Sequence, residues 1–100
     1  MEESWTLPWM PIAMLTNSGG HWHLYVVLMD ATEWPEYDWQ RAAPSPTVAE
    51  REQALAELGY VIAARAIWGW SEDLQICDDP TSPSLLLASI SVRPITDRGR

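Results

Sequence analysis

Residues 17–30 read NSGGHWHLYVVLMD and join a turn sequence directly to one of the most apolar runs of the chain. Asn17 and the two glycines accept the positive φ angles that tight turns require. An apolar run of this length after such a turn is typical of a strand. We therefore predict a β-hairpin, with a first strand over residues 10–16 and a second over residues 21–30.

Side chains alternate along a strand, so the second strand has two different faces. One face suits a core that a helix covers, because all of its residues are apolar. It consists of Trp22, Leu24, Val26 and Leu28. The opposite face is polar at one end and apolar at the other, and consists of His21, His23, Tyr25, Val27 and Met29.

The last predicted strand, residues 85–93, alternates in the same way. A single helix covers only one face of a sheet, so apolar residues on the other face stay available for contact. Either a partner covers them, or the aromatic residues of segment 31–46 fold over them. The apolar residues concerned are Tyr25, Val27, Met29, Leu85 and Leu87.

A helix signal lies at residues 47–59, TVAEREQALAELG. Thr47 is a natural N-cap, Glu50 completes a capping box, and Gly59 is the residue expected after the last turn. We predict a helix over Val48–Leu58 with an acidic outer side. Its apolar side consists of Val48, Ala54, Leu55 and Leu58.

The remaining segments complete a simple architecture. Residues 31–46 form a long irregular link, and residues 60–70 form a third strand in which Gly69 marks a bulge or a close approach. Residues 71–84 are turn-like, with room for a short strand at 74–77 before the last strand. The predicted fold is α+β, in the order β-β-α-β-β. An antiparallel sheet of four or five strands packs one face against the helix.

A length of 100 residues predicts one domain over residues 1–100, with an arm at 1–9 and a frayed tail at 95–100. The first residues lack the basic and apolar regions of a secretory signal. No apolar stretch approaches the roughly 20 residues that a membrane helix needs. We therefore expect a cytoplasmic protein without membrane contact.

The charge of the chain restricts its partners. Fourteen acidic and six basic side chains give a formal charge of -8, and every basic residue is an arginine. We expect no nucleic-acid binding, because no basic surface is available to neutralise phosphates. A basic protein would be attracted instead.

His21 and His23 are two residues apart, so on a strand they project from the same side. Such a pair can begin a zinc or iron site when further ligands converge on it. Without a third histidine, those ligands would have to be Asp, Glu or Cys77. The alternative places both rings at the solvated start of a strand, beside an Arg or Glu of a neighbouring strand. We expect no bound metal and no cofactor.

Cys77 is the only cysteine, which excludes an intramolecular disulfide and a tetrathiolate metal site. It would be a candidate nucleophile if a histidine lay beside it. The adjacent acids, Asp78 and Asp79, disfavour the thiolate form of its side chain. The sequence also lacks a phosphate loop, a nucleophile elbow and a zinc-binding helix motif. We predict no catalytic residue.

The chain has seven tryptophans and no phenylalanine. Tryptophan is a frequent anchor of protein interfaces, and it also fills cores. We expect the tryptophans to divide between these two roles. The candidate partner-binding residues are Trp68, Trp70, Tyr25, Val27, Met29, Leu85, Leu87, Trp34 and Trp39.

Four stretches together cover much of residues 19–94: GGHWHLYVVLMDA, PTVAEREQALAELGYV, AIWGWSED and LLLASISVRP. In this order they resemble a family of small actinobacterial proteins of unknown function. The resemblance implies a cytoplasmic bacterial protein and implies no activity.

Two classes of function fit these features. The first is a non-catalytic binding or regulatory module that docks a protein partner, or a second copy, through the apolar sheet face and exposed tryptophans. An acidic mimic of nucleic acid is a variant of this class. The second is a small-molecule-binding protein or small enzyme. Its site would lie between the sheet and segment 31–46, and would use His21, His23 and an acid.

Overall fold

One helix and one antiparallel sheet make up the part of the chain that the computed structural model describes, residues 11–29 and 31–95. The α+β class, the single helix and the antiparallel sheet are as predicted. A short 3-10 turn at Ser18–Gly20 follows the first strand. In chain order the other elements are β1 (Ile12–Thr16), β2 (His23–Val27), β3 (Glu36–Asp38), α1 (Val48–Leu58), β4 (Tyr60–Ile62), β5 (Gly69–Leu74) and β6 (Ser84–Pro94).

β6 is the longest strand, with 11 residues, and it pairs along both of its edges. β1 pairs with one edge, and β5 and then β4 pair with the other. β2 and β3 extend the sheet beyond β1. Every pairing is antiparallel, so the order across the sheet is β3-β2-β1-β6, with β5 and β4 sharing the last position.

The turn around Gly19 and Gly20 joins β1 to β2, and both glycines have positive φ angles, of 79° and 92°. Thr16 lies opposite His23 at the turn end of this pair, and Ile12 lies opposite Val27 at the other end. Both strands are shorter than predicted. Residues 10 and 30, the predicted arm at 1–9 and most of the predicted tail lie outside the described residues.

The prediction of one continuous strand over residues 60–70 was wrong. β4 pairs with the end of β6, and the amide of Ala63 still donates to the carbonyl of Ser91 at 3.0 Å. Gly69, the first residue of β5, then pairs with Ser89. Residues 64–68 therefore bulge out opposite Ile90, with Arg65 at a positive φ of 66°. Local composition indicates strand content and does not show where the pairing is interrupted.

Segment 31–46 contributes a strand that the sequence prediction missed. β3 pairs with β2 through Tyr37 opposite Leu24, and this extends the sheet at its edge. The amide of Trp39 donates to the carbonyl of Trp22 at 3.0 Å, so pairing continues beyond β3. The predicted short strand at 74–77 is also absent, because β5 ends at Leu74 and residues 75–83 form a turn-rich loop before β6.

The helix has the predicted bounds and caps. The hydroxyl of Thr47 accepts from the amide of Glu50 at 3.1 Å, and the Glu50 carboxylate accepts from the Thr47 amide at 2.9 Å. Gly59 ends the helix with a φ of 95°. Leu55 is fully buried, as predicted. Val48 is 50% exposed, so the prediction that Val48 lies on the packed side was wrong. The buried part of α1 is its middle, and Val48 stands at its first turn.

The core lies on the predicted face of the sheet, between the strands and α1. α1 contacts β4 and β3, which stand at opposite ends of the strand order, so the sheet curls around the helix. Leu28 and Trp39 pack against the edge of the core. Within the described residues, no helix is long and apolar enough to cross a membrane. The core residues are Ala13, Leu15, Trp22, Leu24, Val26, Leu55, Ala88, Ile90 and Val92.

Leu55→Ala should lower the free energy of unfolding by about 3 kcal/mol, because it removes a fully buried side chain and leaves a cavity. Val48→Ala on the same helix should change it by less than about 0.5 kcal/mol, because Val48 is half exposed. Urea denaturation followed by circular dichroism measures both. Equal losses in the two variants would contradict the orientation of the helix.

Glu50→Gln should remove a stabilisation that depends on pH. The hydrogen bond from Arg41, and next the one from the Thr47 amide, lower the pKa of Glu50 below the usual glutamate value. A lowered pKa means that the folded state favours the carboxylate. The stabilisation is therefore complete above the unfolded-state pKa and is lost as the pH falls through the folded-state pKa.

We expect the difference in unfolding free energy between wild type and Glu50→Gln to be constant near neutral pH and to shrink in acid. Glu57→Gln, which removes an exposed acid from the same helix, is the matched control and should show little change. Denaturation curves recorded across the acidic range test this. A Glu50→Gln difference that is independent of pH would refute it.

Candidate functional site

The face of the sheet that points away from α1, called the outer face below, is not covered by a helix of the described chain. Its residues form rows across the strands. Val27, Ile12 and Ser91 make one row, since Ile12 lies opposite the other two. The face consists of Ile12, Met14 and Thr16 of β1, His23, Tyr25 and Val27 of β2, Leu85, Leu87, Ser89 and Ser91 of β6, and at its edges Glu36 and Asp38 of β3 and Gly69, Ser71 and Asp73 of β5.

The outer face holds four of the predicted partner-binding residues, Tyr25, Val27, Leu85 and Leu87, each half-buried among its neighbours. The sequence prediction missed Ile12 and Met14, although β1 alternates as clearly as β2 does. Ile12 is 43% exposed at the first residue of β1, between Val27 of β2 and Ser91 of β6. Met29 stands beyond the end of β2 and is exposed.

Trp34 folds from segment 31–46 onto one end of the outer face. Its ring stacks on Tyr25 with centroids 5.9 Å apart and planes 8° from parallel. Its Nε1 donates to the carbonyl of Leu28 at 3.0 Å, and the side chain stays 45% exposed. Segment 31–46 thus covers the Tyr25 end of the face only. An open cleft of about 410 Å³ lies here, lined by Tyr25, Ala31, Thr32, Trp34 and Glu36.

The other predicted tryptophans lie on the opposite side of the sheet. Trp39 and Trp68 pack against the core, and Trp68 Nε1 is buried without a hydrogen-bond partner in the described part of the chain. Trp70 is 49% exposed and meets Trp22 edge to face at 6.4 Å. The predicted site residues therefore do not form a single surface.

Arg51 ties Trp68 and Trp70 together. Its guanidinium carbon lies 5.0 Å from the ring centroid of Trp68 and 5.5 Å from that of Trp70. Its Nε donates to the carbonyl of Pro46 at 3.1 Å, and burial lowers the pKa of the guanidinium. This cation–π cluster belongs to the helix side of the fold and supports its packing.

The two histidines face acids of β3. His21 Nδ1 lies 3.0 Å from Asp38 Oδ1, and His23 Nδ1 lies 2.9 Å from Glu36 Oε2. His23 Nε2 also lies 3.2 Å from the carbonyl oxygen of Ser18. This arrangement resembles the alternative interpretation, in which both rings lie at the start of a strand beside an Arg or Glu of a neighbouring strand. The partners here are an aspartate and a glutamate.

The described residues do not bring together a metal or a nucleophilic site. Residues 11–29 and 31–95 contain no group of three or more His, Cys, Asp or Glu residues placed to hold a metal ion. Cys77 is exposed in the loop between β5 and β6. In the described chain the hydrogen bonds of His21 and His23 go to Asp38, Glu36 and Ser18, and none goes to Cys77.

A second cavity, of about 590 Å³, lies between α1 and β4. It is lined mainly by apolar groups, including Leu55, Tyr60 and Ile62. Its charged residues are Glu52 and Arg93, which carry opposite charges. These opposite charges favour neither an anion nor a cation.

Removing the His21 ring should raise the pKa of Asp38. Partial burial alone would raise this pKa, but hydrogen bonds from the Gln40 amide and the His21 ring, together with the nearby histidine charges, bring it below the usual value. His21→Ala therefore removes one of the groups that lower it. Carbon-detected NMR titration measures the shift. Asp79, whose pKa Thr81 lowers, is the internal control and should not move.

No curated protein matches the chain, and no solved structure matches it. The model of a protein family described as "Family of unknown function (DUF6303)" matches residues 10–100. This confirms the expected relationship to a family of unknown function. Because the match spans nearly the whole sequence, the chain belongs to the DUF6303 family.

Proposed function

We propose that the protein is a non-catalytic binding module that docks a basic partner protein on its outer face. The observation that supports this most is the group of apolar side chains that β1 and β2 present on the outer face, Ile12, Met14, Tyr25 and Val27, of which Ile12 is 43% exposed. Contiguous apolar area of this kind is typical of protein interfaces. Strands hold such a surface rigidly, so docking requires little ordering of the backbone.

The charge around the outer face selects the partner. Glu36 and Asp38 stand on β3 at one edge of the sheet. Asp73 stands opposite Leu85 on β5, at the other edge. The formal charge of the whole chain is -8. An apolar patch with basic residues around it would complement this surface and be steered towards it.

The same charges disfavour a second copy as the occupant. A symmetric pair would place the same patch of both molecules in contact, so the acids at the two edges would approach acids of the other copy. Like charges brought together in an interface cost free energy unless they are neutralised. A different, basic protein avoids this cost.

Catalysis has less support. The two histidine–carboxylate pairs resemble the base and orienting group of a hydrolase, but such a pair acts on a positioned nucleophile. Among the described residues, neither histidine hydrogen-bonds to a thiol or to a side-chain hydroxyl. The His23–Glu36 pair joins β2 to β3, and the His21–Asp38 pair joins β3 to the residues just before β2, which is a structural role.

Ile12→Glu should abolish docking. It places a charge beside the apolar side chains of the outer face, and we expect the affinity for the partner to fall at least about tenfold. The measurement is affinity capture from lysate of the native host with wild type, Ile12→Glu and Ile76→Glu, at low and moderate salt. Ile76→Glu is the matched control, because it makes the same substitution at an exposed isoleucine in the loop after β5.

We expect wild type and Ile76→Glu to retain one or more basic proteins that Ile12→Glu loses, and we expect moderate salt to weaken their binding. Circular dichroism and thermal unfolding establish that both variants fold. Sedimentation of the purified protein provides the second measurement. A wild-type dimer that Ile12→Glu converts to a monomer would show that the occupant is a second copy. Identical capture by both variants would show that the outer face does not bind.

A further inference from the structure

We infer that the cleft beside Trp34 binds an arginine side chain of the partner, an assignment that rests on the proposed docking function. The cleft opens at the Tyr25 end of the outer face and is lined by two aromatic rings and a carboxylate. Its volume of about 410 Å³ lies in the range of small ligand sites. Aromatic faces and a carboxylate are the two groups that a guanidinium contacts best.

Trp34 is held as a flat platform. The hydrogen bond from its Nε1 to the Leu28 carbonyl, at 3.0 Å, fixes the indole, and Tyr25 supports one of its faces. With 45% of the side chain exposed, the indole remains accessible. Indole is the best cation-binding ring among the amino acids, and a platform fixed in advance loses little entropy on binding.

Glu36 supplies the charge. Its Oε2 lies 2.9 Å from His23 Nδ1, which orients the carboxylate at the edge of the cleft. Its Oε1 makes no hydrogen bond within the described part of the chain, and its side chain is 52% exposed. Oε1 can accept hydrogen bonds from a guanidinium that lies on Trp34.

The chain itself contains the type of contact that we infer. Arg51 lies over Trp68 and Trp70 on the other side of the sheet, with a guanidinium–ring distance of 5.0 Å to Trp68. Arginine is preferred to lysine for the cleft, because its planar group stacks on a ring while its edge donates to a carboxylate. A lysine ammonium cannot do both in the same way.

The direct test is an NMR titration of the intact protein with two capped pentapeptides, Gly-Gly-Arg-Gly-Gly and the same peptide with citrulline. Citrulline has nearly the shape of arginine and no charge. The arginine peptide should shift the indole N–H signal of Trp34 and the amide signals of Ala31 and Thr32. The citrulline peptide should bind at least about threefold more weakly, the factor expected for one exposed cation–π contact.

Variants with matched controls locate the site. Trp34→Leu and Glu36→Gln should each weaken the arginine peptide at least about threefold, read from the Thr32 amide. Trp70→Leu removes a ring of similar exposure, 49%, from the other side of the sheet. Glu33→Gln removes the same charge from the same segment outside the cleft lining. Both controls should bind as wild type does.

Equal binding of the two peptides would overturn the inference, because the cleft would then not recognise charge. Equal weakening by Glu33→Gln and Glu36→Gln would overturn it too, since the attraction would be diffuse. Partner capture separates this failure from that of the docking function. If Trp34→Leu keeps the partner that Ile12→Glu loses, the outer face docks without the cleft. If Ile12→Glu loses nothing, the docking function fails and the assignment of the cleft to a partner fails with it.

Discussion

The pairing of β6 with three other strands is the interaction on which the rest of the structure depends. β1 satisfies one edge of β6, and β5 and β4 satisfy the other, so the backbone of this strand is hydrogen-bonded along most of its length. Because β2 pairs with β1 and β3 pairs with β2, the position of every other strand follows from the pairing of β6. The alternation of side chains along β6 then decides which residues face α1 and which face outward.

A second constraint follows from the number of helices in the described chain. One helix buries one face of the sheet, and the curl of the sheet closes the core by bringing β3 and β4 to the same helix. Within residues 11–29 and 31–95 no helix covers the outer face, and from segment 31–46 the ring of Trp34 stacks on its Tyr25. Apolar side chains left accessible in this way support the docking function proposed above.

Local signals and non-local pairing explain how far the sequence could predict this fold. The helix was predicted to the residue, because Thr47, Glu50 and Gly59 fix its ends through contacts within a few residues. The two faces of β2 followed from alternation alone. β3 and the interruption at 64–68 were missed, since both depend on which distant residues lie opposite. The acids that pair with His21 and His23 come from β3, so they could not be identified without it.

The pairing of β1 with β6 also has a kinetic consequence. Ile12 lies opposite Ser91, so the central pair of the sheet joins residues from near the two ends of the described chain. A contact of this kind closes a very long loop, and proteins rich in such contacts fold slowly. The hairpin of β1 and β2 and the helix α1 emerge early during synthesis, but they share no complete core until β6 has left the ribosome. The core therefore forms only after β6 has been synthesised. A chain interrupted before β6 would expose the apolar residues on both faces of β1 and β2.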